Sequence, residues 1–196
     1  MSNKSVKNES KKDRMELNFK DFPKLITERL VLRNIENTDV TLIHKLHSDA
    51  IVNAFVGRDN SSSLKKAEEY IIKMQNLIAR NECIYWVITE KENNNLIGSV
   101  CLWNFDIENE IVEIGYEMLS EFQGKGIMSE AIKKIIEYAF EKIKAKIITA
   151  FPSSDNINSV SILKKMNFEL ENKKYNNNHQ NVKNLVTYTL RNSKNQ

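Results

Sequence analysis

The chain is short of the residues that break or staple a backbone. Its 196 residues include 2 prolines, 5 glycines and 2 cysteines. So few glycines leave few places for unusual backbone geometry, and glycines that cluster call for a reason. Cys83 and Cys101 fall on candidate strands without metal-ligand spacing. With no secretory signal, they are read as buried thiols in a reducing compartment rather than as a disulfide. Charge of one sign is scarce too: the formal net charge is +3, much of it within the first twenty residues. Nucleic-acid binding would want a basic stripe on a folded face, and none is visible. No apolar run approaches the ~20 residues of a membrane span. The N-terminus is basic but lacks the apolar stretch of a signal peptide, so the cytoplasm is the expected location.

What is present suits a folded domain. Hydrophobic residues make up 41% and charged residues 28%, enough for a core and too apolar for a disordered chain. Residues 1–20 are polar, charged and non-periodic, and are read as a flexible tail before a domain spanning 21–192. Leu30 and Leu32 alternate with Arg29, Val31 and Arg33, which predicts a strand over Leu25–Asn34. Thr38 or Asp39 can cap a helix to about Ser48. Leu64, Ala67, Ile71, Met74 and Ile78 recur at helical steps over Leu64–Ala79.

The period then changes. Cys83–Thr89, Leu96–Trp103 and Ile111–Leu119 read as three strands, with turns at Asn93–Asn95 and Asn109. A long apolar stripe predicts a helix from Ile127 to Ile143. Ile147–Phe151 reads as a short buried strand, parallel to the fourth through a right-handed crossover. A helix from Asp155 or Asn156 to Lys165 and a hairpin of Phe168–Tyr175 with Leu185–Arg191 complete the order. The expected fold is mixed α/β: a central, mostly antiparallel sheet of about seven strands flanked by about four helices.

The glycines cluster where a strand meets the long helix, in Gln123-Gly124-Lys125-Gly126-Ile127-Met128. Gly124 and Gly126 let backbone approach a ligand, and the helix behind them offers unpaired N–H groups and the positive end of its dipole. That suits a pyrophosphate. A P-loop would need Ser or Thr after the lysine, and a dinucleotide fingerprint would need a third glycine where Ser129 stands, so both fail. Alone, such a loop is equally an ordinary tight turn.

The segment Gln123 to Met128 resembles the Gln/Arg-x-x-Gly-x-Gly/Ala signature of the GNAT superfamily of N-acetyltransferases. Thr27-Glu28-Arg29-Leu30-Val31-Leu32-Arg33 resembles the opening strand of its RimJ/RimL branch, and Glu113-Ile114-Gly115-Tyr116 that branch's fourth strand. Asn156-Ile157-Asn158-Ser159 with Leu163 to Phe168 resembles its Asn-x-x-Ser helix. The likeness covers roughly residues 22–191. Three positions depart from the pattern: Met128, Asn167 in place of glycine, and Leu163 where many relatives carry a tyrosine that protonates the leaving thiolate. Asn tolerates the left-handed cap conformation, so Asn167 is compatible with the fold.

The resemblance implies acetyl transfer from acetyl-CoA to a primary amine by direct attack, with no metal. It points to a protein N-terminal α-amino group of the ribosomal-protein type. A polyamine, a small amine drug, or a non-catalytic CoA-binding sensor are the alternatives. It implies pantetheine pairing by N–H groups of Met118, Leu119 and Ser120, and by Asn156. The amides of Gln123, Gly124, Lys125, Gly126, Ile127, Met128 and Ser129 would wrap the pyrophosphate. Glu113 is the expected base, directly or through water, against an ion-paired strand carboxylate as the plain alternative. Ser159, ahead of Ser161, is expected to help the thiolate leave. Glu108, Glu110 and Glu113 are the carboxylates a polyamine site would draw on. Tyr188 is expected in the core, His44 and His47 at the surface or beside the acceptor site, and His179 in solvent. The chain is expected to act as a monomer or homodimer.

Overall fold

The computed structural model describes residues 14–56 and 63–192. Strands β1 (Leu25–Ile26) and β2 (Leu30–Asn34) lead to helices α1 (Val40–Ser48), α2 (Ala50–Asn53) and α3 (Leu64–Ala79). Strands β3 (Cys83–Glu90), β4 (Asn93–Asp106) and β5 (Ile111–Met118) follow. Then come α4 (Ile127–Tyr138), β6 (Ile147–Ala150), α5 (Ile157–Lys165), β7 (Glu169–Glu171) and β8 (Thr187–Arg191). They form one 8-stranded sheet in the order β1-β2-β3-β4-β5-β6-β8-β7. Every pairing is antiparallel except β5 with β6, which α4 joins as a crossover.

This is the expected mixed α/β class, with eight strands and five α-helices among the described residues. The additions to the expected count are β1 and α2, of 2 and 4 residues, too short to show a period. The helix over Leu64–Ala79 forms as predicted: Ala67, Ile71, Met74 and Ile78 are buried, and Ser63 caps it through the Lys66 N–H. The asparagine run at 93–95 lies inside β4, not in a turn. Glu90 pairs with Asn93, so the hairpin closes at Lys91–Glu92. Helix α4 continues through a π turn over Ala139–Ile143 and stops at Lys144 in the left-handed conformation. Asn167 takes φ 62, the left-handed cap that asparagine permits.

The two sheet faces are covered differently. Tyr85 of β3 meets Tyr70 of α3, ring centroids 5.9 Å apart, while its neighbour Trp86 meets Tyr138 of α4 at 5.3 Å. Adjacent strand residues point to opposite faces, so α3 and α4 lie on opposite sides. Arg33 ties β2 to the start of α1 through a buried bidentate pair with Asp39, at 2.7 and 2.8 Å.

The packed part begins before the expected boundary at residue 20. Met15 and Phe19 are buried, the Phe19 N–H donates to Asn81 Oδ1, and the Phe19 ring meets Phe105. The stretch has no period because two isolated apolar side chains anchor it, rather than a continuous face. The expected tail residues 1–13 and the end 193–196 lie outside the described residues. Among the described residues no helix is long and apolar enough to cross a membrane.

Candidate active site

The glycine loop sits between β5 and α4. After Met118 the chain makes a short 3-10 turn over Ser120–Phe122, and Gln123 Nε2 donates back to Met118 O at 3.0 Å. Gly124 and Gly126 both take left-handed φ, 75 and 74. A Cβ at Gly124 would meet nothing within 4 Å, so its backbone faces open space. Gly126 is the N-cap of α4 and supplies no capping side chain. The first-turn amides of Ile127, Met128 and Ser129 are thus left for an external acceptor. The loop is braced from behind. Arg29 Nη1 donates to Lys125 O at 3.2 Å, and its Nε pairs with Glu130 Oε2 at 2.6 Å. Thr27 Oγ1 and the Arg29 N–H also donate to Glu130. Partial burial opposes ionisation of Glu130, yet these donors hold its carboxyl below the usual range.

A gap opens beside the loop. The β5–β6 pairing ends at Glu113 with Thr149, although β5 continues to Met118. The Leu119 N–H donates to Ile97 O of β4, so by alternation the amides of 117, 115 and 113 also face β4. The Ile114 N–H is taken by Thr149 O at the last β5–β6 pair, and those of Tyr116 and Met118 face the gap. Of the three amides expected to hold pantetheine, only Met118 therefore faces it. Leu119 is committed to Ile97, and Ser120 donates to Asp49 Oδ2 at 3.1 Å. The Gln123 N–H is likewise turned to Ser120 O.

Two cavities flank the gap. The smaller, of 390 Å³, is lined by Gly124, Gly126, Met128, Ser129 and Lys165. The larger, of 650 Å³, is walled by Tyr70, Tyr85, Cys101, Trp103, Glu113 and His179. Both share Tyr116, Asn156 and Ser159 as lining, so they adjoin there. Tyr116 Oη and Ser159 Oγ are 2.8 Å apart, and burial pushes the phenol up to about 12 against the pull of that hydrogen bond. Asn156 Oδ1 caps α5 through the Ser159 N–H, which sets the serine's place on the first turn.

Glu113 is 2% exposed. Its Oε1 lies 2.5 Å from His179 Nε2, and Asn104 Nδ2 donates to its Oε2 at 3.3 Å. The His179 ring is held between Trp103 and Phe151, with centroids at 5.7 and 5.6 Å. A loop histidine expected in solvent is thus built into the cavity wall.

The acetyltransferase (GNAT) domain family matches residues 29–169. The chain is 32% identical to the uncharacterized N-acetyltransferase YoaA of Bacillus subtilis (strain 168) over 150 residues, 76% of this chain and 85% of that one. The chain belongs to the GNAT acetyltransferase family. Its fold is also that of the ribosomal-protein-S5-alanine acetyltransferase from Vibrio fischeri, with TM-score 0.72 and 21% identity over 87% of this chain and 97% of that one. It matches RimL, a ribosomal L7/L12 alpha-N-protein acetyltransferase solved with coenzyme A, with TM-score 0.70 and 18% identity over 85% and 96%.

The remaining residues sort by position in this GNAT fold. Ser161 is exposed and lines the smaller cavity, and no hydrogen bond links it to Tyr116 among the described residues. Leu163 is fully buried and lines the larger cavity, where it can offer no proton. Tyr188 is buried on β8 and belongs to the core. The carboxylate cluster of Glu108, Glu110 and Glu113 does not form: Glu108 is exposed, and Glu110 is ion-paired to Lys146. Glu82 and Glu117 are the carboxylates that share the larger cavity with Glu113. His47 is buried against Tyr70 and Glu117, and among the described residues it belongs to no cluster of three or more His, Cys, Asp or Glu fit for a metal. His179 and Tyr116 are the groups that sequence reasoning missed. Tyr116 was legible only as a strand residue, and nothing in the Asn-rich run around His179 shows where the loop folds.

Proposed function

We propose that this chain transfers the acetyl group of acetyl-CoA to a primary amine held in the larger cavity, and that the acceptor is the α-amino group of a polypeptide. The carrying observation is the meeting of two unlike cavities at Tyr116 and Ser159. One is floored by an uncapped helix start, the other walled by a buried carboxylate–histidine pair.

The residues fit acetyl-CoA. The open backbone at Gly124 and the free first-turn amides of α4 suit its pyrophosphate, with Lys125, Lys165 and Arg29 nearby for charge. The outward amides of β5 and the side chain of Asn156 suit the pantetheine arm. When bound, acetyl-CoA supplies the acetyl group already activated as a thioester.

The chain's own groups have separable tasks. The outward amide of Tyr116 on β5 stands where a carbonyl oxygen gains charge. His179 donates Nε2–H to Glu113, which leaves the Nδ1 lone pair to take the acceptor's proton. Glu113 is therefore a positioning residue in this reading, because its carboxylate is enclosed by His179 and Asn104. Tyr116, through Ser159, offers a hydrogen bond to the sulfur as it departs, the task for which Leu163 has no group.

An α-amino acceptor asks little of such a base. With a pKa of about 7.7–8.0 it is neutral in roughly one molecule in six to ten at pH 7, against roughly one in 2,500 for a lysine. The activities named for RimL and for the S5-alanine enzyme support the same choice. A small polyamine is the second reading, favoured by Glu113 and Glu117 facing one cavity. Thiol release from acetyl-CoA with peptides, polyamines and aminoglycosides is the test. Coenzyme A binding without release from any acceptor would leave a non-catalytic binding module, and no heat on titration with coenzyme A would sink the reading.

A further inference from the structure

We propose that Asn104 is a positioning residue of the acceptor site, a clasp that sets His179 against Glu113 by holding the loop before His179 to the sheet. The inference rests on the reading of His179 as the base.

The loop has little apolar surface to hold it. Residues 172–178 carry no regular structure, and Asn172, Lys173, Lys174, Asn176 and Asn178 are exposed. Tyr175 is the one large apolar side chain among them, so burial does little to decide where the His179 ring lands. Hydrogen bonds take over that task. Asn177 Oδ1 accepts from the His179 N–H at 3.2 Å, which shapes the turn locally. Asn176 O, three residues before His179, accepts from Asn104 Nδ2 at 2.9 Å, and the same nitrogen donates to Glu113 Oε2 at 3.3 Å. Arg191 Nη2 meets Tyr175 Oη at 3.4 Å, a weaker tie. One amide of β4 thus grips both halves of the buried pair: the carboxylate itself and the backbone that leads to the ring.

The backbone of β4 is bent to bring that amide there. Trp103 pairs with Glu113 and Asp106 with Ile111, so Asn104 and Phe105 together stand opposite Val112. Two residues against one make a β-bulge, a device that re-aims side chains. Trp103 and Glu113 both line the larger cavity. Strict alternation would turn residue 104 to the other face of the sheet. Asn104 instead takes φ 49, the left-handed region, and its side chain reaches Glu113. Asparagine tolerates that conformation, and glycine would tolerate it better. What glycine lacks is the amide.

The amide chemistry is matched to its two neighbours. A carboxylate oxygen and a backbone carbonyl are both acceptors, and an amide nitrogen carries two hydrogens, one for each. Turned over, the group would set Oδ1 against both oxygens, so the network decides its orientation. An aspartate of the same shape would place a second carboxylate against Glu113 and offer nothing to Asn176.

The test uses the whole chain and separates the amide from the bulge. Asn104→Gly keeps the left-handed backbone and removes both hydrogen bonds. It should lower kcat/KM for the amine by about ten-fold, the loss falling in kcat, with coenzyme A affinity by calorimetry unchanged. In a His179→Ala background the same change should cost less than about two-fold, because the clasp acts through the ring. Asn104→Asp should cost more than Asn104→Gly. Adding Glu113→Gln to Asn104→Asp exchanges donor and acceptor, since the glutamine nitrogen donates to the aspartate while its oxygen still accepts from His179. That double variant should regain about five-fold over Asn104→Asp alone, a rescue that a role confined to the bulge does not predict. The imidazole Nε2–H resonance, assigned by its loss in His179→Ala, gives a readout without turnover. It should persist in wild type and be lost to exchange with water in Asn104→Gly. Full activity in Asn104→Gly, equal losses with and without His179, or an unaltered ring-proton resonance overturns the proposal. Full activity in His179→Ala sinks the reading of the base instead, and the resonance still reports on the clasp.

Discussion

Replacing Glu113 by Gln isolates the buried pair from the rest of the site. The carboxylate is 2% exposed and holds His179 Nε2 at 2.5 Å. A glutamine keeps the shape, and its carbonyl oxygen can still accept from Nε2–H. What is lost is charge. A hydrogen bond to a charged group is worth about 1.5–3 kcal/mol and a neutral one about 0.5–1.5, so the difference is about 1–1.5 kcal/mol. That corresponds to roughly 5–15-fold in kcat/KM for the amine, with coenzyme A affinity unchanged. His179→Ala removes the base itself and should cost about 10²–10⁴-fold. Because Glu113 acts through His179, adding Glu113→Gln to His179→Ala should cost little more. Thiol-release kinetics on the two single variants and the double variant decide the matter. Full activity in His179→Ala, or losses that multiply in the double variant, would refute the pairing.

Other substitutions probe the neighbouring parts. Tyr116→Phe should lower kcat by about ten-fold. Since the phenol lies near 12, the loss should be the same from about pH 6 to 10, and a pH-dependent loss in a kcat profile would contradict this. Arg29→Ala loosens the brace behind the glycine loop. Its side chain is 50% exposed, so a discounted 0.5–1 kcal/mol, about two- to five-fold in coenzyme A affinity by calorimetry, is expected without a change in amine KM. Asp49 is partly desolvated, yet hydrogen bonds from Ser120, Val52 and Ile51 hold its carboxyl below the usual range. A folded pKa below the unfolded one adds stability at neutral pH. That stability starts to fade near the ordinary value of about 3.9 and is lost as pH falls through the folded value. Asp49→Asn should therefore melt lower than wild type at pH 7 and show a shallower acid-side decline in Tm; parallel curves would argue against the linkage.

The long periodic elements were legible because their residues see one partner surface each. Ala67, Ile71, Met74 and Ile78 repeat at helical spacing, and α3 forms where that spacing places it. The alternation along Ile111–Met118 likewise announced β5. The glycine loop was legible for another reason: two left-handed residues in three positions demand glycine almost wherever they occur, so the conformation is written into the residue type. Segments that depend on distant support were not. Phe19 read as tail because its contacts, with Asn81 and Phe105, lie more than sixty residues away.

Residue type and spacing alone therefore determined the fold class, the order of the main elements and the glycine turn ahead of α4, all of which depend on neighbours within a few positions. Tertiary structure alone decided which side chains share the larger cavity. It brought His179 against Glu113 across 66 positions and Tyr116 against Ser159 across 43. It also removed Leu119 and Ser120 from the amides facing the gap, by giving their N–H groups to Ile97 and Asp49. The physical reason is that a hydrogen bond depends on distance and direction in space, and a loop or a strand edge acquires both only after the sheet has closed around it.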